Sequence, residues 1–225
     1  DNTKCKLILF FHNDPLSMNG SKTPDERNYL LKNIDHFIFN SKWSLSRFKI
    51  NLKNFDVYNN KFSVVYQCVS KKKINFSKKK KIISFIGKLN RAKGYDIFGK
   101  SIINILNKYP DWKSIVIGDE PREKIFFTHE NLINYGYRDQ KFILKKLEET
   151  SISVICSRWE EPFGRASVEA CSRGSVPIIT NKGGLPETTN FPIIVNKLTE
   201  KILTKNIEKL IINKKKLKEL QIKNY

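Results

Sequence analysis

Short apolar runs alternate with amphipathic stretches along the chain. Residues 6–11 read as a buried strand, followed by the loop His12-Asn13-Asp14-Pro15. Thr23-Pro24-Asp25-Glu26 is a helix start: threonine caps, proline suits the first turn and Glu26 closes a capping box, so a helix should run to about Asn33. Residues 36–39 form the next strand, Ser41 caps a short helix to about Phe48, and residues 62–66 form a third strand. Residues 70–81 break the pattern. They are polar and lysine-dominated, with Ile74 and Phe76 as the apolar members, and read as an interdomain linker.

The alternation then resumes. Strands are expected at 82–86, 114–117, 132–135, 152–155, 176–179 and 193–195, and helices at 95–108, 139–147, 164–172, 199–212 and from 214 onward. Such alternation implies parallel, doubly wound sheets. Right-handed crossovers place the loops after the strands along one edge, where ligands bind. The expected division is 1–69, a linker at 70–81, and 82–225.

The 225 residues suit one large domain or two small ones, and 40% hydrophobic residues can bury a real core. No apolar run approaches the roughly 18 residues of a membrane span, and no signal-peptide pattern is visible. The chain starts at Asp1 and moves at once into a strand, so a piece of a longer protein is expected. Cys5, Cys68, Cys156 and Cys171 are scattered without metal-ligand spacing and read as reduced structural thiols of a cytoplasmic protein. The net charge of +20 admits nucleic acid, an anionic membrane surface or a phosphorylated substrate as partner. It equally admits lysines spread over solvated faces.

Three loops carry candidate chemistry. The first is Glu161-Pro162-Phe163-Gly164-Arg165-Ala166-Ser167-Val168-Glu169, which follows a strand and opens a helix. A helix N-terminus presents unpaired N–H groups to a diphosphate, and Gly164 lets that backbone approach closely. Glu169 lies five residues on, about 7–8 Å along the axis, a distance that suits a carboxylate accepting ribose hydroxyls. Glu161 would face the sugar beyond the phosphates. Alternatively, Glu169 pairs with Arg165 or Arg173 four residues away on a solvated face. The second loop, Gly87-Lys88-Leu89-Asn90-Arg91-Ala92-Lys93-Gly94, also joins a strand to a helix. Gly87 permits a tight turn, and Lys88 and Lys93 can stabilise charge on a leaving diphosphate, unless the loop is simply a lysine-rich surface turn. The third, Gly183-Gly184-Leu185-Pro186-Glu187, offers ligand-facing N–H groups or a generic turn.

Taken together, these loops resemble family 4 glycosyltransferases, the "group 1" transferases, which show G-R-L-x-x-x-K-G, then E-x-F-G-x-x-x-x-E, then G-G-x-x-E. Glu161, Phe163, Gly164 and Glu169 match the second pattern and Gly183, Gly184 and Glu187 the third; in the first, Lys93 and Gly94 match, while Lys88 stands where arginine is usual. Lysine there keeps the charge and loses the bidentate fork. Upstream, the loop at His12 resembles the family's catalytic loop, whose histidine contacts the donor sugar, and residues 37–44 resemble the strand and serine before its next helix.

The resemblance implies a GT-B fold: two Rossmann-like domains facing across a cleft, the first only partly present here. It implies retaining transfer of a sugar from a nucleotide diphosphate sugar to a saccharide or lipid-linked hydroxyl acceptor, in polysaccharide or lipopolysaccharide synthesis. No metal and no cofactor are expected, and this piece alone should be inactive. Tyr137, after its strand, could stack on the base or be a surface tyrosine; His36 and His129 read as structural or exposed. A GT-B epimerase and a basic nucleic-acid-binding domain are the competing readings, the latter lacking an aromatic-basic stripe. Peripheral contact with anionic membrane rests on charge alone.

Overall fold

The computed structural model describes residues 5–53 and 55–225. They form two compact units: the described residues up to 67 together with 161–163, and residues 68–160 together with 164–225.

In the smaller unit, β1 (Ile8–Phe11), α1 (Pro24–Asn33), β2 (His36–Phe39), α2 (Lys42–Lys49) and β3 (Phe62–Val64) follow one another. The strands form a parallel sheet in the order β1-β2-β3. Both helix starts obey their sequence signals: Thr23 and Glu26 make the reciprocal capping box, and the Ser41 hydroxyl accepts the Ser44 N–H. Alternate strand positions supply the core, where Phe37, Phe39 and Phe48 are fully buried. The Phe48 ring centroid lies 5.4 Å from those of Phe11, Phe37 and Phe39, within aromatic pairing range. Arg27 of α1 is buried too. Its guanidinium donates to Ser21 O and Lys22 O at 2.8 Å and to Ile50 O at 2.7 Å, so carbonyls replace the water it has lost.

The larger unit contains β4 (Ile82–Ile86), α3 (Tyr95–Lys108), β5 (Lys113–Ile117), β6 (Leu132–Asn134), α4 (Gln140–Glu149), β7 (Ile152–Ile155), α5 (Arg165–Cys171), β8 (Val176–Thr180), β9 (Ile193–Val195), α6 (Glu200–Ile212) and α7 (Lys214–Asn224). Its sheet is parallel throughout, in the order β6-β5-β4-β7-β8-β9. Counted within the unit this is the Rossmann order, and the strand order reverses between β4 and β7. α3 buries Phe98, Ile102, Ile105 and Leu106, the stripe that a 3.6-residue period turns toward a sheet. Every residue of β8 is buried, as a strand covered on both faces requires. Strand ends depart from the periodicity by one or two residues, the usual fraying range.

Residues 68–81 group with the larger unit. The Lys79 ammonium donates to Leu147 O (2.9 Å), Thr150 O (2.7 Å) and Arg173 O (2.5 Å), pinning the stretch to the ends of α4 and α5. Burial pushes the pKa of Lys79 down to about 7, with the Glu148 charge opposing. Cys156 and Cys171 are buried, which pushes both thiols up to about 12 and keeps them protonated, whereas Cys5 and Cys68 are exposed and serve no core.

Candidate functional site

The chain leaves β4 at Gly87 and reaches α3 through a turn organised by Asn90. The Asn90 side-chain oxygen accepts Lys93 N–H at 2.9 Å, and its carbonyl accepts Tyr95 N–H at 3.1 Å. Gly94 has φ +74°, and a Cβ there would stand 2.1 Å from Cys156 O, so glycine alone lets this loop pass against the loop after β7. The two loops are laced together. Ala92 O accepts the N–H groups of Arg158 (2.8 Å) and Trp159 (3.0 Å) and the hydroxyl of Ser157 (3.2 Å). Lys93 and the segment leading to Gly164 therefore share the carboxyl edge of the sheet at the reversal of strand order, where open α/β sheets bind ligands.

Gly164, at φ +118°, precedes α5, and no side chain caps that helix. A Cβ on Gly164 would meet Leu185 Cδ2 at 2.4 Å, and the Ser167 and Thr188 hydroxyls lie 2.7 Å apart, so the loop after β8 bears directly on the start of α5. Gly183 and Gly184 sit in that loop, where Glu160 accepts the Gly183 N–H at 2.6 Å and pairs with the Lys182 ammonium at 2.8 Å.

Glu169 lies on α5, nearly buried. Its Oε1 accepts from Gln140 Nε2 (3.0 Å) and Arg165 Nε (3.2 Å). Among the described residues no donor reaches Oε2. The Arg165 pair is the i,i+4 alternative left open by the sequence, and it occupies one carboxylate oxygen. Gln140 opens α4, three residues after Tyr137, and so ties Glu169 to the loop after β6. Gly87, Lys88, Gly118, Tyr137 and Arg138 line a hollow of about 270 Å³ at the ends of β4 and β5. Tyr137 is 72% exposed there, an open ring face beside Lys88.

The remaining candidates belong to the smaller unit. Pro162 O accepts the hydroxyls of Ser41 (2.5 Å) and Ser44 (3.3 Å), so the serine that caps α2 also holds the Glu161–Phe163 segment. The Phe163 ring stacks on Tyr66, with centroids 5.5 Å apart and planes at 12°. Glu161 is 9% exposed. His12 is exposed, its ring 4.1 Å from that of Phe10. With the Gln67 amide oriented to donate at 3.0 Å, His12 Nδ1 accepts and the ring proton sits on Nε2. Asn40 Nδ2 donates to His12 O at 2.9 Å, fixing the backbone of the loop.

The larger unit thus brings together Gly87, Lys88, Lys93, Tyr137, Gly164, Glu169, Gly183 and Gly184 along one edge, and the smaller unit carries His12, Glu161 and Phe163. Sequence reasoning passed over Arg158, Glu160, Asp96 and Gln140. Arg158 binds both carboxylate oxygens of Asp96, at 2.6 and 2.9 Å, and donates to Arg91 O at 2.6 Å. Desolvation pushes the Asp96 carboxyl up, but the Arg158 hydrogen bonds and charge hold it below the usual carboxylate range. These partners lie far apart in the chain, and no periodicity or local motif announces them. Among the described residues, no cluster of three or more His, Cys, Asp or Glu side chains could hold a metal ion, and no helix is long and apolar enough to cross a membrane.

A family model described as glycosyl transferases group 1 matches residues 69–225. The putative glycosyltransferase YtcC of Bacillus subtilis is 28% identical over 127 residues, 51% of this chain and 31% of that protein. The lipopolysaccharide core biosynthesis mannosyltransferase LpsB of Rhizobium meliloti is 30% identical over 130 residues, 52% of this chain and 36% of that protein. The chain therefore aligns with about a third of each of these relatives. The crystal structure of Anabaena Alr3699/HepE in complex with UDP-glucose matches 97% of this chain and 66% of that one, with a TM-score of 0.76 at 16% identity. The fold is the GT-B class expected from the sequence, with a three-stranded first unit and a six-stranded second one.

Proposed function

We propose, from the premise that this chain belongs to the group 1 glycosyl transferases, that its larger unit holds the nucleotide diphosphate sugar of a retaining sugar transfer to a saccharide or lipid-linked hydroxyl. The observation that carries the reading is the lacing of the Lys93 loop to the loop that leads into Gly164, at the point where the strand order reverses.

The chemistry follows from that edge. Lys88, Lys93 and the first-turn N–H groups of α5 all follow strands of one sheet edge, a set of positive charges and donors that suits a diphosphate. Their attraction grows as the sugar–phosphate bond breaks and charge accumulates on the leaving group, so they favour the transition state over the bound donor. These fixed charges are the reason we assign the transfer no need for a metal. Glu169 Oε2 receives the ribose hydroxyls while Oε1 stays anchored by Gln140 and Arg165. Tyr137 covers the base in the hollow next to Lys88. Gly164, Gly183 and Gly184 bring their backbone along the same edge of the larger unit; for His12, Glu161 and Phe163 of the smaller unit, the family resemblance implies contacts with the donor sugar.

The test is donor turnover by the full-length enzyme. Lys93→Ala and Glu169→Ala should each lower transfer at least about tenfold, ~1.4 kcal/mol of transition-state stabilisation. Wild-type turnover in both variants defeats the assignment. The LpsB likeness supports an acceptor of cell-surface saccharide type. A cytoplasmic enzyme of net charge +20 would meet a lipid-linked acceptor at an anionic membrane surface, which pelleting with anionic liposomes at low salt checks.

A further inference from the structure

We infer that Arg158 and Glu160 are positioning residues that hold the three donor loops at one spacing, an inference that rests on the donor-site reading above. β7 pairs with β4 on one side and β8 on the other, so the loop after β7 lies between the other two. Arg158 reaches one neighbour, taking both oxygens of Asp96 at the start of α3 and the Arg91 carbonyl of the Lys93 loop. Glu160 reaches the other, taking the Lys182 ammonium and the Gly183 N–H. Trp159 alone separates them, so about 7 Å of backbone sets the distance between the two outer loops. The backbone between them is fastened as well, because Arg158 and Trp159 both donate to Ala92 O.

Magnitudes favour positioning over stability as the purpose. Both ion pairs are open to water, with side-chain exposures of 40% and 26% for Arg158–Asp96 and 41% and 48% for Lys182–Glu160. Exposed pairs of this kind add little to folding stability. A displacement of about 1 Å in groups that meet a reacting phosphate costs on the order of a hundredfold in rate. The bonding is also directional: the Arg158 fork matches a carboxylate in a way lysine cannot, and Glu160 spends one oxygen on a backbone amide, which fixes the main chain itself.

The test uses the full chain, with UDP, GDP and ADP as probes. Glu160→Ala and Arg158→Ala should weaken binding of the accepted nucleotide about tenfold, with thermal unfolding almost unmoved. In the ligand-free protein, amide exchange at 182–184 should accelerate in Glu160→Ala. Glu160→Gln retains an acceptor for Gly183 N–H and should restore most of the affinity, whereas Arg158→Lys loses the fork and should not. A merely structural role would lower the melting temperature and the active fraction while leaving the dissociation constant of the folded protein unchanged. Wild-type affinity in both alanine variants overturns the inference alone. A wild-type chain that binds none of the three nucleotides overturns it together with the donor-site reading.

Discussion

Both units fasten their candidate segments with hydrogen bonds, the larger by joining three loops to one another and the smaller by tying each segment to α2 and its neighbours. In the larger unit the loops after β4, β7 and β8 are bonded to one another through Ala92 O, Arg158, Glu160 and the Ser167–Thr188 contact. In the smaller unit the packing effort goes into a cluster of phenylalanine rings, and His12 stands exposed, its side chain bonded to Gln67. Groups proposed to meet a diphosphate gain from a rigid frame, because charge stabilisation depends steeply on distance in a desolvated site. In the smaller unit the loop backbone is held as well, by Asn40 Nδ2 on His12 O and by Arg47 on Asp14. What can still adjust to a ligand is the exposed His12 side chain, at the cost of ordering it on binding. The contrast is between loops bonded to one another in the larger unit and a loop bonded to its own unit's frame that presents one exposed side chain, His12.

The largest perturbation of this contrast is Phe37→Ala. Removing a fully buried ring from the smaller core should cost about 3–5 kcal/mol, with faster amide exchange in β1 to β3 and little change in β4 to β9. Gly94→Ala should cost the larger unit about 3 kcal/mol, since the new Cβ overlaps Cys156 O on a left-handed backbone. Denaturant titration measures it, and a cost below about 1 kcal/mol would refute the close approach of the two loops. Lys79→Met leaves three carbonyls at the ends of α4 and α5 without their donor and should destabilise by about 1–3 kcal/mol.

A smaller effect is set by pH. The Asp96 pKa is lower in the folded chain than in the unfolded one, so the unfolded chain binds the proton more tightly. Its contribution is fully present above the unfolded value, about 3.9, and is lost as pH falls through the lower folded value. Wild type should therefore exceed Asp96→Asn in melting temperature at neutral pH, and the gap should close below about pH 4. A gap that persists unchanged into strong acid would sever Asp96 from its ion pair. The smallest effect is on stability in His12→Ala, within about 0.5 kcal/mol for an exposed side chain, even as sugar transfer falls.

Much of this protein is legible in its sequence because helix starts, strand runs and loop motifs are local. The Thr23 capping box, the Ser41 cap, the stripe of α3 and the succession of strand, loop and helix around Gly87, Gly164 and Gly183 arise from residues within a turn or two of one another. The stretch before β4 shows where such reading runs out: its composition speaks of a tether, yet Lys79 is sunk among carbonyls of residues some seventy to ninety positions away. The cysteines divide likewise, since burial of Cys156 and exposure of Cys68 follow from packing that the adjoining apolar runs do not disclose.

The elements, their order and the three glycine-bearing loops after β4, β7 and β8 can be read from local pattern, because each depends on periodicity and turn chemistry over a few residues. That β4 and β7 lie side by side, that Gln140 reaches Glu169, and that Arg158 and Glu160 join the loops to either side is visible in the folded chain alone. Those contacts link distant residues through space, and the side chains that make them carry no sign in the chain of the partner they will meet.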